Sequence, residues 1–163
     1  MKRTTNYIGA LIFALCSSIA LAEGGYWGAT AGIMDFDFNG VDNPIGVGLR
    51  AGYSQISGWG LEAEYIDSLV GGETEVLGKA VDVDMYSLAG YVTYRSLGEI
   101  YIKGRLGLLY EDVSVGSESS DDFGISAGAG IGFVLGANSN IELEYTVLEK
   151  DVGLWSGAFT YRF

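Results

Sequence analysis

The sequence predicts an all-β fold, a transmembrane eight-stranded antiparallel up-and-down β-barrel, and three observations carry that prediction. Apolar and polar residues alternate along most of the chain beyond residue 22, so side chains two apart form one large apolar face and one polar or glycine-lined face. The connections between alternating segments are brief at one end and long and acidic at the other, a segregation that suits a membrane barrel and that a sandwich has no reason to adopt. Gly (26 residues) and aromatics (13%) are both abundant and interleaved, which sets the chain apart from the aromatic-poor composition of disordered tracts.

Residues 1–22 stand apart from this pattern. Met1-Lys2-Arg3 is a cationic start, residues 8–22 are apolar or small, and Ala20-Leu21-Ala22 is a small-x-small site before Glu23. The apolar run is shorter than the ~20 residues of a spanning helix. We therefore expect a signal peptide over 1–22, cleaved between Ala22 and Glu23, and one barrel domain over 23–163. Cys16 leaves with the signal; a lipid anchor on it is disfavoured by Leu15 in front of it. The mature chain is then exported, without cysteine, and carries 21 acidic against 7 basic residues.

Eight strands are expected at about 26–36, 45–54, 59–67, 84–95, 99–110, 123–135, 140–148 and 152–163. Leu61-Glu62-Ala63-Glu64-Tyr65 alternates strictly. Ile100 to Leu106 sets Lys103 and Arg105 opposite Ile100, Ile102 and Leu106. From Ile125 to Phe133 apolar residues alternate with Ser126, Gly128, Gly130 and Gly132. Ile141 to Val147 interleaves Glu142, Glu144 and Thr146, and Trp155 to Phe163 ends the chain with aromatics at alternate positions. The turns 55–58, 96–98 and 136–139 are tight, whereas 37–44, 68–83 and 111–122 are long and polar; 149–151 is short but lies at the loop end.

An eight-stranded barrel has room inside for small or tightly packed side chains only, so the glycine-lined and polar face is expected to point in and the aromatic face out, into lipid. Aromatics fall near both strand ends. Trp27, Tyr53, Trp59, Tyr94, Tyr161 and Phe163 lie toward the turns, and Tyr65, Tyr86, Tyr110, Tyr145 and Trp155 toward the loops, as two interfacial belts would require.

These residues resemble the small eight-stranded outer-membrane β-barrel family, the group of the OmpA transmembrane domain and the OmpX/Ail-like proteins. Phe159-x-Tyr161-x-Phe163 is similar to that family's C-terminal signature. The resemblance implies a place in the outer membrane of a Gram-negative bacterium, and it implies that Tyr161 and Phe163, with Phe159, are read by the outer-membrane assembly machinery. Lipid and lipopolysaccharide are the implied surroundings, with the chain a monomer.

The inward charges are the first chemical candidates: Arg50, Glu62, Glu64, Lys103, Arg105, Glu142 and Glu144, with Arg95 and Arg162 as further members. A hairpin centred near Ile56 sets Arg50 opposite Glu62. Opposite signs at similar depth are expected to form a buried ionic plug rather than a pore lining or a catalytic carboxylate pair. Asp35-x-Asp37-x-Asn39-Gly40 matches the start of a calcium loop, but position twelve is Gly46 where a bidentate Glu belongs, so a solvated turn is the better reading. Fifteen of the 21 carboxylates fall at the loop end, a solvated face, or else a surface for divalent-cation bridging to anionic lipid or for docking a basic partner.

No histidine is present, which removes the Ser-His, Cys-His and His-metal chemistries, and the net charge of −12 opposes nucleic-acid binding. The expected function is a non-enzymatic structural or surface-interaction barrel without cofactor. The alternative is a narrow porin-like or solute-binding barrel that uses the inward charges.

Overall fold

A computed structural model describes residues 24–36, 45–68, 74–76, 79–81, 83–115, 118–149 and 152–163. Among the described residues ten strands run in chain order: β1 (Gly25–Phe36), β2 (Ile45–Ser54), β3 (Trp59–Ser68), β4 (Thr74–Val76), β5 (Lys79–Val81), β6 (Val83–Arg95), β7 (Ile100–Val115), β8 (Glu118–Val134), β9 (Ser139–Glu149) and β10 (Val152–Arg162). Eight of them close a barrel in the order β1-β10-β9-β8-β7-β6-β3-β2, every pairing antiparallel, and β4 with β5 makes a separate two-stranded sheet. Closure leaves the barrel without an edge, so its backbone groups pair with one another, as lipid demands. The seam joins first and last strands, from Tyr26↔Arg162 to Phe36↔Val152.

Two of the expected long connections contain strand. Segment 68–83 carries the β4–β5 hairpin, and β7 and β8 continue their register through Glu111↔Asp122 and Asp112↔Asp121 to Val115↔Glu118. Acidity points to a loop there, but the alternating Val113 and Val115 favour extended backbone. Pairing of β3 with β6 stops at Asp67↔Tyr86, and pairing of β8 with β9 begins only at Ala127↔Val147. The upper parts of β6, β7 and β8 therefore stand above the rest of the barrel wall as a three-stranded sheet.

The outer wall is apolar: Leu49, Leu61, Ile102, Ile125 and Leu143 are all more than half exposed. Outward aromatics pair across neighbouring strands near both ends. Trp27 lies 6.4 Å from Tyr161 and Trp59 5.2 Å from Tyr94 at the turn end; Tyr65 lies 6.5 Å from Tyr86 and Tyr145 4.8 Å from Trp155 at the loop end. No helix among the described residues is long and apolar enough to cross a membrane; the crossing elements are the strands.

The inner wall is layered. Its lower half, toward the turns, is charged. Its upper half, toward the loops, is an apolar cluster of Met34, Ile66, Ala89, Tyr91, Leu109, Leu148 and Leu154 drawn from six strands.

Candidate functional site

The inward positions are the even ones on β1, β2, β3, β8, β9 and β10 and the odd ones on β6 and β7, as their burial shows. From them the lower half gathers four carboxylates, Glu62 and Glu64 from β3 and Glu142 and Glu144 from β9, while Glu111 of β7, expected in a solvated loop, is buried higher up beyond Leu109. Four cations face them: Arg50 from β2, Arg95 from β6, and Lys103 and Arg105 from β7. All eight residues are buried. Lys103 is the hub, its Nζ lying 2.9 Å from Glu62, 2.8 Å from Glu142 and 3.1 Å from Glu144. Arg50 pairs with Glu64 at 2.5 Å, with Glu142 at 3.1 Å and with Glu144. Arg105 holds Glu64 at 2.9 Å and Glu144 at 3.3 Å, and Arg95 holds Glu142 at 2.8 Å and Glu62 at 3.1 Å. Equal numbers of opposite charges share every ion among several partners, the condition under which buried charge survives.

Neutral donors complete the network. Tyr26 donates to Glu62 at 2.6 Å and Tyr101 to Glu142 at 2.8 Å. Each tyrosine lies over a glycine on the adjacent strand: a Cβ at Gly52 would strike the Tyr26 ring and hydroxyl, and one at Gly132 would strike the Tyr101 ring. Arg105 donates to Thr146 and stacks over Tyr91 at 4.5 Å, and Arg95 stacks over Tyr26 at 4.8 Å.

Two sequence expectations change here. Arg50 stands across from Glu64, not Glu62, because Gly52 takes the place opposite Glu62. The turn closes one residue later than expected, where Gly58 supplies a φ of 90° and Gln55 bonds the Trp59 carbonyl. Arg162 shares the inward face but stays exposed at the turn rim, outside the network, whereas Arg95 is inside it. The apolar upper layer is not among the sequence expectations, and its only signal is parity: Leu109 follows Lys103 and Arg105 on one face of β7, and Leu148 follows Glu142 and Glu144 on one face of β9.

Asp35 is exposed on β1, across from Gly153; Asp37 and Asn39 lie outside the described residues, as do Ala22 and Glu23. No group of three or more His, Cys, Asp or Glu side chains gathers as metal ligands among the described residues. Phe159, Tyr161 and Phe163 point outward at the turn end.

An eight-stranded closed barrel with a lipid-suited outer wall, two aromatic belts and a charge-balanced interior is a membrane-spanning barrel protein. The profile of the outer membrane protein beta-barrel domain matches residues 8–163, and the chain belongs to that family, whose place is the outer membrane of a Gram-negative cell. Among solved structures it is similar to Neisserial surface protein A, with 19% identity, a TM-score of 0.62, and coverage of 86% of this chain and 98% of that one. Ail of Yersinia pestis matches with 23% identity and a TM-score of 0.56, covering 87% of this chain and 100% of Ail. The N-terminal barrel of Pseudomonas aeruginosa OprF matches with 12% identity and a TM-score of 0.61, covering 86% and 98%. No curated protein matches by sequence.

Proposed function

We propose that this protein is a sealed structural barrel of the outer membrane, without catalysis, whose interaction surface is its outward loop end. One observation carries the reading: both halves of the interior are filled, the lower by a neutralised ionic network and the upper by Met34, Leu109, Leu148 and Leu154, each 1% exposed. Water in a narrow apolar constriction is unstable, so such a layer blocks ions even where a hydrated polar path leads up to it. Export by the 1–22 signal, with cleavage between Ala22 and Glu23, and recognition of Phe159, Tyr161 and Phe163 by the assembly machinery belong to the same reading.

The acidic loop end favours a cationic partner, or divalent cations bridging to anionic lipopolysaccharide. Ail of Yersinia pestis has been crystallised with the heparin analogue sucrose octasulfate. A polysulfate of that kind would be repelled by fifteen carboxylates here.

Planar-bilayer recording and cell-surface binding, run in parallel on the purified protein, test the proposal. We expect no unitary conductance, and binding to cationic surfaces that falls steeply with salt. Steady conductance of the native chain would overturn the sealed reading in favour of a narrow porin.

A further inference from the structure

At the turn end the inner wall opens into a cavity of about 300 Å³ whose lining includes Arg95, Arg162, Tyr101, Ser54, Ser96 and Asn140. None of its lining residues is a carboxylate, in a chain with 21 acidic residues against 9 basic ones. Its floor is built rather than incidental. The Arg95 side chain is 8% exposed and held from the barrel interior, with Nε on Glu142 at 2.8 Å and Nη2 on Glu62 and on the Tyr26 hydroxyl. Its Nη1 has one partner, Thr93 at 3.3 Å, which leaves an N–H on that nitrogen for a ligand. Arg162 lies at the rim on the inward face, and its guanidinium makes no ion pair among the described residues. Ser96 Oγ accepts from the Ile102 amide, and its own proton is left to donate.

We infer that this vestibule binds a phosphate-class oxyanion between Arg95 and Arg162, with the Ser96 hydroxyl as a third donor. A fixed guanidinium with one N–H to spare at the floor and an exposed one without an ion pair at the rim suit an oxyanion that accepts several charge-assisted hydrogen bonds at once. The volume is that of about ten waters at ~30 Å³ each, ample for a phosphate and its remaining hydration. Access is from the turn side only, because the network and the apolar layer close the path above. The inference concerns the opposite end of the barrel from the proposed partner surface and stands independently of it.

Nuclear magnetic resonance of the protein in phosphatidylcholine nanodiscs, observing the arginine Nε–H groups, tests it. Inorganic phosphate is titrated against sodium chloride of matched ionic strength. We expect saturable shifts at Arg95 and Arg162 with phosphate alone. Arg162→Gln should weaken binding about 10-fold, and Ala137→Asp, which adds a carboxylate to an exposed lining position, should weaken it in the same direction. A second arm replaces the lipid with phosphatidylglycerol and omits free phosphate: shifts that appear there and are displaced by added phosphate identify a lipid headgroup as the source, and shifts that await free phosphate identify a solute. Linear drift equal to that in chloride, or binding that neither substitution weakens, would overturn the site.

Discussion

The lower and upper halves of the barrel interior solve the same packing problem in opposite ways. Below, four carboxylates and four cations fill the section, relieved by Gly52 and Gly132, over which Tyr26 and Tyr101 lie. Above, Met34, Ile66, Leu109, Leu148 and Leu154 form an apolar layer, with the carboxylate of Glu111 buried on the loop side of Leu109. The lower half stays together only while its charges balance, whereas the apolar layer of the upper half depends on volume. The same tube is thus ionic at one level and oily a few residues higher, and its seal is the oily level.

The sharpest way to break the comparison is to unbalance the charged half at its hub. Lys103→Met removes a cation that touches three carboxylates, and urea unfolding in lipid vesicles should show a loss of about 3–5 kcal/mol. Leu109→Ala in the apolar half should cost about 2–4 kcal/mol by the same measurement, and the excess cavity rather than any charge sets the figure. The two halves separate in a second readout. Leu109→Ser with Leu148→Ser should admit water and give measurable bilayer conductance, while Lys103→Met should leave the membrane sealed.

Gly132→Ala should cost about 1–3 kcal/mol, because the new methyl displaces the Tyr101 ring from its bond to Glu142. Smaller still is the pairwise coupling. A double-mutant cycle of Arg50→Gln with Glu144→Gln should give about 1–2 kcal/mol and exceed the cycle of Arg50→Gln with Glu62→Gln, since Arg50 makes an ion pair with Glu144 and none with Glu62. Equal couplings would mean that the network acts as a diffuse charge cloud without preferred partners. Least of all, Asp122→Asn on the exposed upper sheet should change stability by under ~0.5 kcal/mol.

The barrel and the inward set of charges were legible because both rest on local periodicity: one parity carries Glu62 and Glu64, Lys103 and Arg105, or Glu142 and Glu144, and each hairpin joins strands adjacent in the chain. Register was less legible. A single left-handed glycine, Gly58, moved the pairing of Arg50 by two residues, and spacing alone does not reveal which turn residue takes that conformation. The partners of Arg50 on β9 were hidden altogether, because 92 and 94 residues separate them in sequence and only closure brings them together. The apolar layer is hard to read for another reason. Met34, Ile66 and Leu154 share the inward parity, but the charged and glycine residues of the same parity make that face look polar in sequence.

Closure has a kinetic side as well. Every pairing in the barrel but one joins strands that follow closely in the chain; the exception is the β1–β10 seam, where Tyr26 meets Arg162. Hairpins of that kind form early and cheaply, but the seam must bear the entropy of closing almost the whole chain. Until it shuts, β2 and β9 are apart, and Arg50 has neither Glu142 nor Glu144. An open sheet therefore exposes unneutralised charge on one face and apolar side chains on the other, a state that neither water nor lipid favours. Zipping the seam removes both penalties together, so folding of this chain should be late-committing and all-or-none, with the ionic core appearing in the same step as the finished wall.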